Sequence, residues 1–89
     1  MTKVIIPTPL RKYTNEIGEI DIEGVTIKEI INAIDKKYPG VKNRLCDEQG
    51  NIRRYINIYV GGEDIRFLDG IKTKIGDKEV NIVPAIAGG

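Results

Sequence analysis

The chain has 89 residues, enough for one domain with a modest core, and nothing in its composition asks for a second. Its 14 Lys and Arg against 13 Asp and Glu leave a net charge of +1, too weak a field to track phosphates, and no apolar run is long enough to span a bilayer, so we expect a soluble cytoplasmic protein with neither nucleic acid nor membrane as a partner. With no His, no Ser and a single Cys, the sequence excludes Ser-His and Cys-His pairs, His-based metal sites and an internal disulfide, and we expect no metal site.

The first element is a short β-rich run within Lys3 to Pro7, Val4-Ile5-Ile6, which reads as apolar on both faces and is bounded by Pro7 and Pro9. Leu10 to Gly18 reads as a polar connection. In Glu19 to Glu23, Ile20 and Ile22 alternate with acidic neighbours, the period of a half-buried strand that pairs with the first as a hairpin closed by Gly24.

Thr26 followed by Glu29 forms a capping box, so a helix is predicted to begin there. Ile27, Ile30, Ile31, Ile34 and Tyr38 recur at the spacing of one helical face, and Pro39 with Gly40 ends the run. Because β-branched Ile is a below-average helix former, this helix depends on docking its stripe against a sheet. Val41 to Cys46 is predicted as a further short helical turn in which Cys46 is buried and inert.

After a polar loop, Tyr55 to Val60 alternates again, placing Ile56, Ile58 and Val60 on the core face and Asn57 and Tyr59 outside. Gly61-Gly62 reads as a tight turn, Asp64 to Phe67 as a short edge strand, and Asp69-Gly70 and Gly76-Asp77 as further turns. The acidic pairs Asp47-Glu48 and Glu63-Asp64 fall in predicted loops and read as solvated turn residues. In the last strand, Glu79 to Pro84, Val80 and Ile82 face the helix, leaving Asn81 and Val83 outside.

This order of elements describes an α+β domain, a mixed sheet of four to five strands with one main helix packed across it. First and last strands side by side and parallel would make it a β-grasp, the ubiquitin-like architecture, over residues 1–84. Residues 85–89 are expected to be a flexible tail whose Gly88 and Gly89 suit a narrow cleft; a frayed end is the alternative at this point.

The start Val4-Ile5-Ile6-Pro7-Thr8, the helix from Thr26, the segment Tyr55 to Phe67 and the ending Val80 to Gly89 together resemble the ubiquitin-like sulfur-carrier family, the ThiS and MoaD proteins. The Asn57-Ile58-Tyr59-Val60 segment, the Glu63-Asp64 turn and the Pro84-Ala85-Ile86-Ala87-Gly88-Gly89 end look most like the branch that carries sulfur for cysteine synthesis. The resemblance implies that an E1-like enzyme adenylates the Gly89 carboxylate, with ATP and Mg2+ belonging to that enzyme and no cofactor bound here. Sulfur then replaces AMP, and the thiocarboxylate donates it to an acceptor: a cysteine synthase-like enzyme, a molybdopterin synthase large subunit or a thiazole synthase. Such a protein is a cosubstrate and not an enzyme; in the molybdopterin case it would be a synthase's small subunit.

Docking needs a surface. Strand parity places Tyr59, Val83 and Phe67 on the sheet face away from the helix, where apolar exposure marks an interface. Arg66 would add a charged contact, and Ile86, in the tail, completes the partner-binding set. A protein modifier joined through Gly89 to lysines, and a β-grasp interaction module with an incidental tail, remain alternatives.

Overall fold

The computed structural model of the chain describes residues 1–84; the predicted tail boundary and the predicted site residues Ile86, Gly88 and Gly89 lie outside the described residues. Five strands, β1 (Thr2–Ile5), β2 (Glu19–Ile22), β3 (Ile56–Val60), β4 (Glu63–Asp64) and β5 (Val80–Pro84), form one mixed sheet in the order β2-β1-β5-β3-β4. The first and last strands are parallel neighbours, Val4 opposite Val80 and Ile5 opposite Asn81, while β1–β2, β3–β5 and β3–β4 are antiparallel.

Helix α1 (Ile27–Lys37) covers one face of this sheet. Its N-terminus is built as the capping pattern requires: the Glu29 amide donates to Thr26 Oγ1 (3.3 Å), and the Val25 amide, one residue before the cap, donates to Glu29 Oε1 (3.0 Å). The helix stops at Tyr38, which leaves helical angles before Pro39, since a residue preceding proline is crowded out of the helical region. Ile27, Ile30, Ile31 and Ile34 are buried against Val4, Ile20, Ile22, Ile56, Ile58, Val60, Val80 and Ile82 in one hydrophobic core. This burial outweighs the modest helix propensity of four isoleucines, each worth about 1.5–3 kcal/mol when fully withdrawn from water. Helix α2 (Val41–Leu45) is joined to α1 by Asp35, whose Oδ1 accepts from the Gly40 and Lys42 amides at 3.1 and 3.0 Å.

Several expectations need correction. The connection after β1 is not simply polar: Thr8–Tyr13 forms a 3-10 turn that buries Leu10, and Thr14 is fully buried, its hydroxyl donating to the Ile17 carbonyl at 2.8 Å. Gly24 lies between β2 and α1, close enough that an added Cβ would stand 2.9 Å from Ile30 Cδ1, so its role is close strand-to-helix approach and not hairpin closure. The edge strand predicted over Asp64 to Phe67 is only Glu63–Asp64. Asp64 Oδ1 accepts from the Arg66 amide at 2.8 Å and turns Ile65–Phe67 into a second 3-10 turn, an aspartate-driven bend that competes with the ladder.

The central strands are not apolar on two faces. On β1, Thr2 and Val4 are buried but Lys3 is exposed; on β5, Val80 and Ile82 are buried but Val83 is 40% exposed. Only one face of the sheet is covered by helices, which is why a parallel pair here does not demand apolar residues on both sides. Gly61 and Gly62 take positive φ values of 58° and 86° between paired Val60 and Glu63, the two-residue hairpin turn that glycines favour.

Candidate functional site

The site is assembled from a sheet face and the end of its middle strand. β5 lies between β1 and β3, so Pro84, the last described residue, sits on the middle strand of the sheet. Because β1 and β5 run parallel, their C-terminal ends lie at the same end of the sheet, with Pro7 two residues beyond β1 and Pro84, opposite Ile56, the last residue of β5.

On the open face the register sets Glu19, Ile5, Asn81, Tyr59 and Asp64 in a row across all five strands, and Asn57 opposite Val83 beside it. Strand parity therefore placed Tyr59 and Val83 correctly: Tyr59 is half-buried and Val83 stands 40% exposed on the face away from α1. Charges frame the apolar centre, with Lys3 and Glu19 paired at 3.8 Å on one flank.

Phe67 is 86% exposed but sits in the 3-10 turn after β4, so its position follows from that turn and not from strand alternation. Arg66 has a structural occupation: its Nη2 donates to the Ile56 and Arg54 carbonyls at 2.9 and 3.2 Å, which fastens the turn to the start of β3. A contact between Arg66 and a partner must be made by a guanidinium already spoken for on one edge.

Asn57 was assigned to the outer face by its parity but not singled out. Its Oδ1 is covered by neighbours and accepts no hydrogen bond from the described residues, beside Val83 on the open face of the sheet. An unmet buried acceptor costs free energy on its own. An asparagine amid apolar strand residues is the sequence signal that could have drawn attention to it.

Within the described residues, internal chemistry is poorly equipped. Cys46 is buried, and burial pushes its thiol above the ordinary value of 9.0; the Asp47 carboxylate adds to the rise, while Lys42 and Arg53 oppose it. A thiol so placed is a weak nucleophile. Asp47 and Asp64 serve as turn acceptors, Asp47 Oδ1 taking the Gln49 and Asn51 amides at 2.9 and 3.0 Å. Among the described residues there is no cluster of three metal-ligating side chains and no helix long and apolar enough to cross a membrane.

Comparison with known proteins agrees with this geometry. The chain is 40% identical to the sulfur carrier protein CysO of Mycobacterium tuberculosis, the match covering 97% of this chain and 96% of that protein. A chain in the solved Amycolatopsis orientalis BexX/CysO complex superposes with a TM-score of 0.93 at 38% identity, over 100% of both chains. The small archaeal modifier protein SAMP1 of Methanosarcina acetivorans superposes with a TM-score of 0.81 at 27% identity, over 99% of this chain and 95% of that one. The β-grasp fold, with its middle strand feeding the C-terminal residues, is thus the ubiquitin-like one. A model of the ThiS family matches residues 4–89, and this chain belongs to that family.

Proposed function

We propose that this protein is a sulfur carrier for cysteine biosynthesis, acting in the cytoplasm as a protein cosubstrate and not as a catalyst. The observation that carries the reading is the 40% identity to a CysO sulfur carrier across nearly the full length of both chains. The Gly89 carboxylate attacks the α-phosphorus of ATP on an E1-like enzyme, giving the acyl adenylate and pyrophosphate. A sulfur nucleophile then attacks the carbonyl carbon and expels AMP, leaving a terminal thiocarboxylate that a cysteine synthase-like enzyme consumes. ATP and Mg2+ belong to the activating enzyme. Gly88 and Gly89 supply the slim approach to its cleft, and Ile86 contributes apolar contact there.

This chain's share is positioning. The open face holds Tyr59 and Val83 toward the partner, with Phe67 at the rim and Arg66 beside it. Complex formation between the similar CysO of Amycolatopsis orientalis and BexX supports recognition of the folded carrier by a partner protein. Molybdopterin or thiamin synthesis would use the same chemistry with a different acceptor, a synthase large subunit or a thiazole synthase.

The test is intact mass. Incubation with the E1-like partner, ATP and sulfide should raise the mass by the difference between sulfur and oxygen, with fragmentation placing the change on Gly89. One residue added after Gly89 should abolish the gain. A gain on Cys46, or a gain in the extended variant without trimming, would refute the mechanism. The likeness to SAMP1 favours one second reading, a modifier joined to lysines through Gly89. A ladder of conjugates in immunoblots of a cell lysate would support it; a single low-mass band would support the carrier.

A further inference from the structure

On the helix layer, across the domain from Tyr59 and Val83, α1, α2 and the turn that follows them enclose a pocket of about 130 Å3. Lys28, Ile31 and Asn32, at positions i, i+3 and i+4, present one strip of α1 to it. Lys42 of α2 meets that strip: its Nζ donates to Asn32 Oδ1 at 2.8 Å, while its own amide is fixed by Asp35 Oδ1 at 3.0 Å. Gln49, Gly50 and Asn51 supply a third side. Asp47 builds their turn, its Oδ1 accepting from the Gln49 and Asn51 amides at 2.9 and 3.0 Å and its carbonyl from the Gly50 amide at 3.0 Å. Ile31 and Ile71, the latter in the 3-10 turn Gly70–Lys72, are the apolar walls.

We propose that this pocket binds a small organic carboxylate, with its charged end on the Lys28 and Lys42 ammoniums and its short hydrocarbon body on Ile31 and Ile71. Size limits the class: the space equals that of about four water molecules, which admits about four to six non-hydrogen atoms and excludes a nucleotide or a peptide. Charge sets the sign. At Cys46, which also lines the pocket, Lys42 and Arg53 act against Asp47, a cationic balance, and the Asp47 carboxylate is turned into the amides of its own turn. The isoleucines decide between a carboxylate and an inorganic oxyanion. Phosphate or sulfate carries oxygens on every side, and those facing Ile31 and Ile71 would lose water without gaining a partner. A carboxylate keeps its charge at one end. Lys42 is half-buried and held at both its amide and its ammonium, so binding costs less side-chain entropy than it would with an untethered lysine.

Because the pocket and the open sheet face lie on opposite sides, a chain docked on its partner can hold the acid at the same time, and the site stands for a carrier or a modifier alike. Titration of the full chain with butyrate at constant ionic strength, followed by two-dimensional NMR, tests it. Saturable shifts should be confined to Lys28, Asn32, Lys42, Gln49 to Asn51 and Ile71, with half-saturation at millimolar concentration, the range open to so few atoms. Lys28→Met and Lys42→Met keep the apolar stem and remove the charge; each should weaken butyrate about fivefold, the upper end of what an exposed ion pair supplies. Lys28 is exposed on α1, so Lys28→Met decides the charge contact even where Lys42→Met disturbs packing. Butyramide, equal in size and uncharged, should not saturate over the same range. Shifts that stay linear in butyrate, butyramide binding as well as butyrate, or wild-type affinity in Lys28→Met would each overturn the proposal. Phosphate or sulfate saturating the same resonances at lower concentration than butyrate would also overturn it, assigning the pocket to an inorganic oxyanion.

Discussion

Val83 is 40% exposed on β5, opposite Asn57, on the face we assign to partner recognition. A fully buried valine contributes about 1.5–3 kcal/mol, but here the folded state withdraws only part of the side chain, and a lysine stem can cover the same strand surface while its ammonium stays in water. Val83→Lys should therefore cost about 0.5 kcal/mol, a Tm shift of about 2–4 °C for a domain this small. Ile34, fully buried beneath the sheet, is the internal standard: Ile34→Ala should cost about 2–5 kcal/mol and lower Tm by at least about 8 °C. Thermal unfolding followed by circular dichroism measures both. Thiocarboxylate formation on the same samples, read by intact mass at limiting activating enzyme, should fall about 5- to 30-fold for Val83→Lys, the range expected when one to two kcal/mol of central interface contact is removed. If Val83→Lys melts as early as Ile34→Ala, or activates at the wild-type rate, the open sheet face is not the docking surface.

Arg66→Ala removes both donations to the Ile56 and Arg54 carbonyls and should destabilise the domain by about 1–2 kcal/mol, with amide exchange quickening first at the start of β3; unchanged exchange there would contradict the fastening role. Asn57→Val replaces an unsatisfied acceptor with a β-branched residue, so stability should hold or rise; a loss above about 1 kcal/mol would show that the amide is satisfied in the folded chain. Because the folded state raises the Cys46 thiol, the stability tied to this group is fully present below the ordinary value of 9.0 and is lost as pH rises from there through the folded value. Denaturant titrations compared with Cys46→Ala should diverge in that alkaline range alone, and native Cys46 should alkylate far more slowly than in denaturant.

What can be read locally in this chain is burial by periodicity. The isoleucine stripe of α1, its Thr26–Glu29 cap, the alternation of β2 and β3 and the proline stops are each written within a dozen residues, and they suffice for a β-grasp with Tyr59 and Val83 facing away from the helix. Gly88, Gly89 and the family resemblance direct attention to the C-terminus by sequence alone. Periodicity states that a face is covered but not by what, so the one-sided sheet, the burial of Leu10 and Thr14 and the conversion of the predicted edge strand into a turn became visible only in three dimensions. The same holds for contacts between segments far apart in the chain. Arg66 on the carbonyls at the start of β3 and a groove shared by Tyr13, Arg44, Tyr55 and Pro84 depend on distances that folding sets, because each joins groups whose separation in sequence carries no local signal.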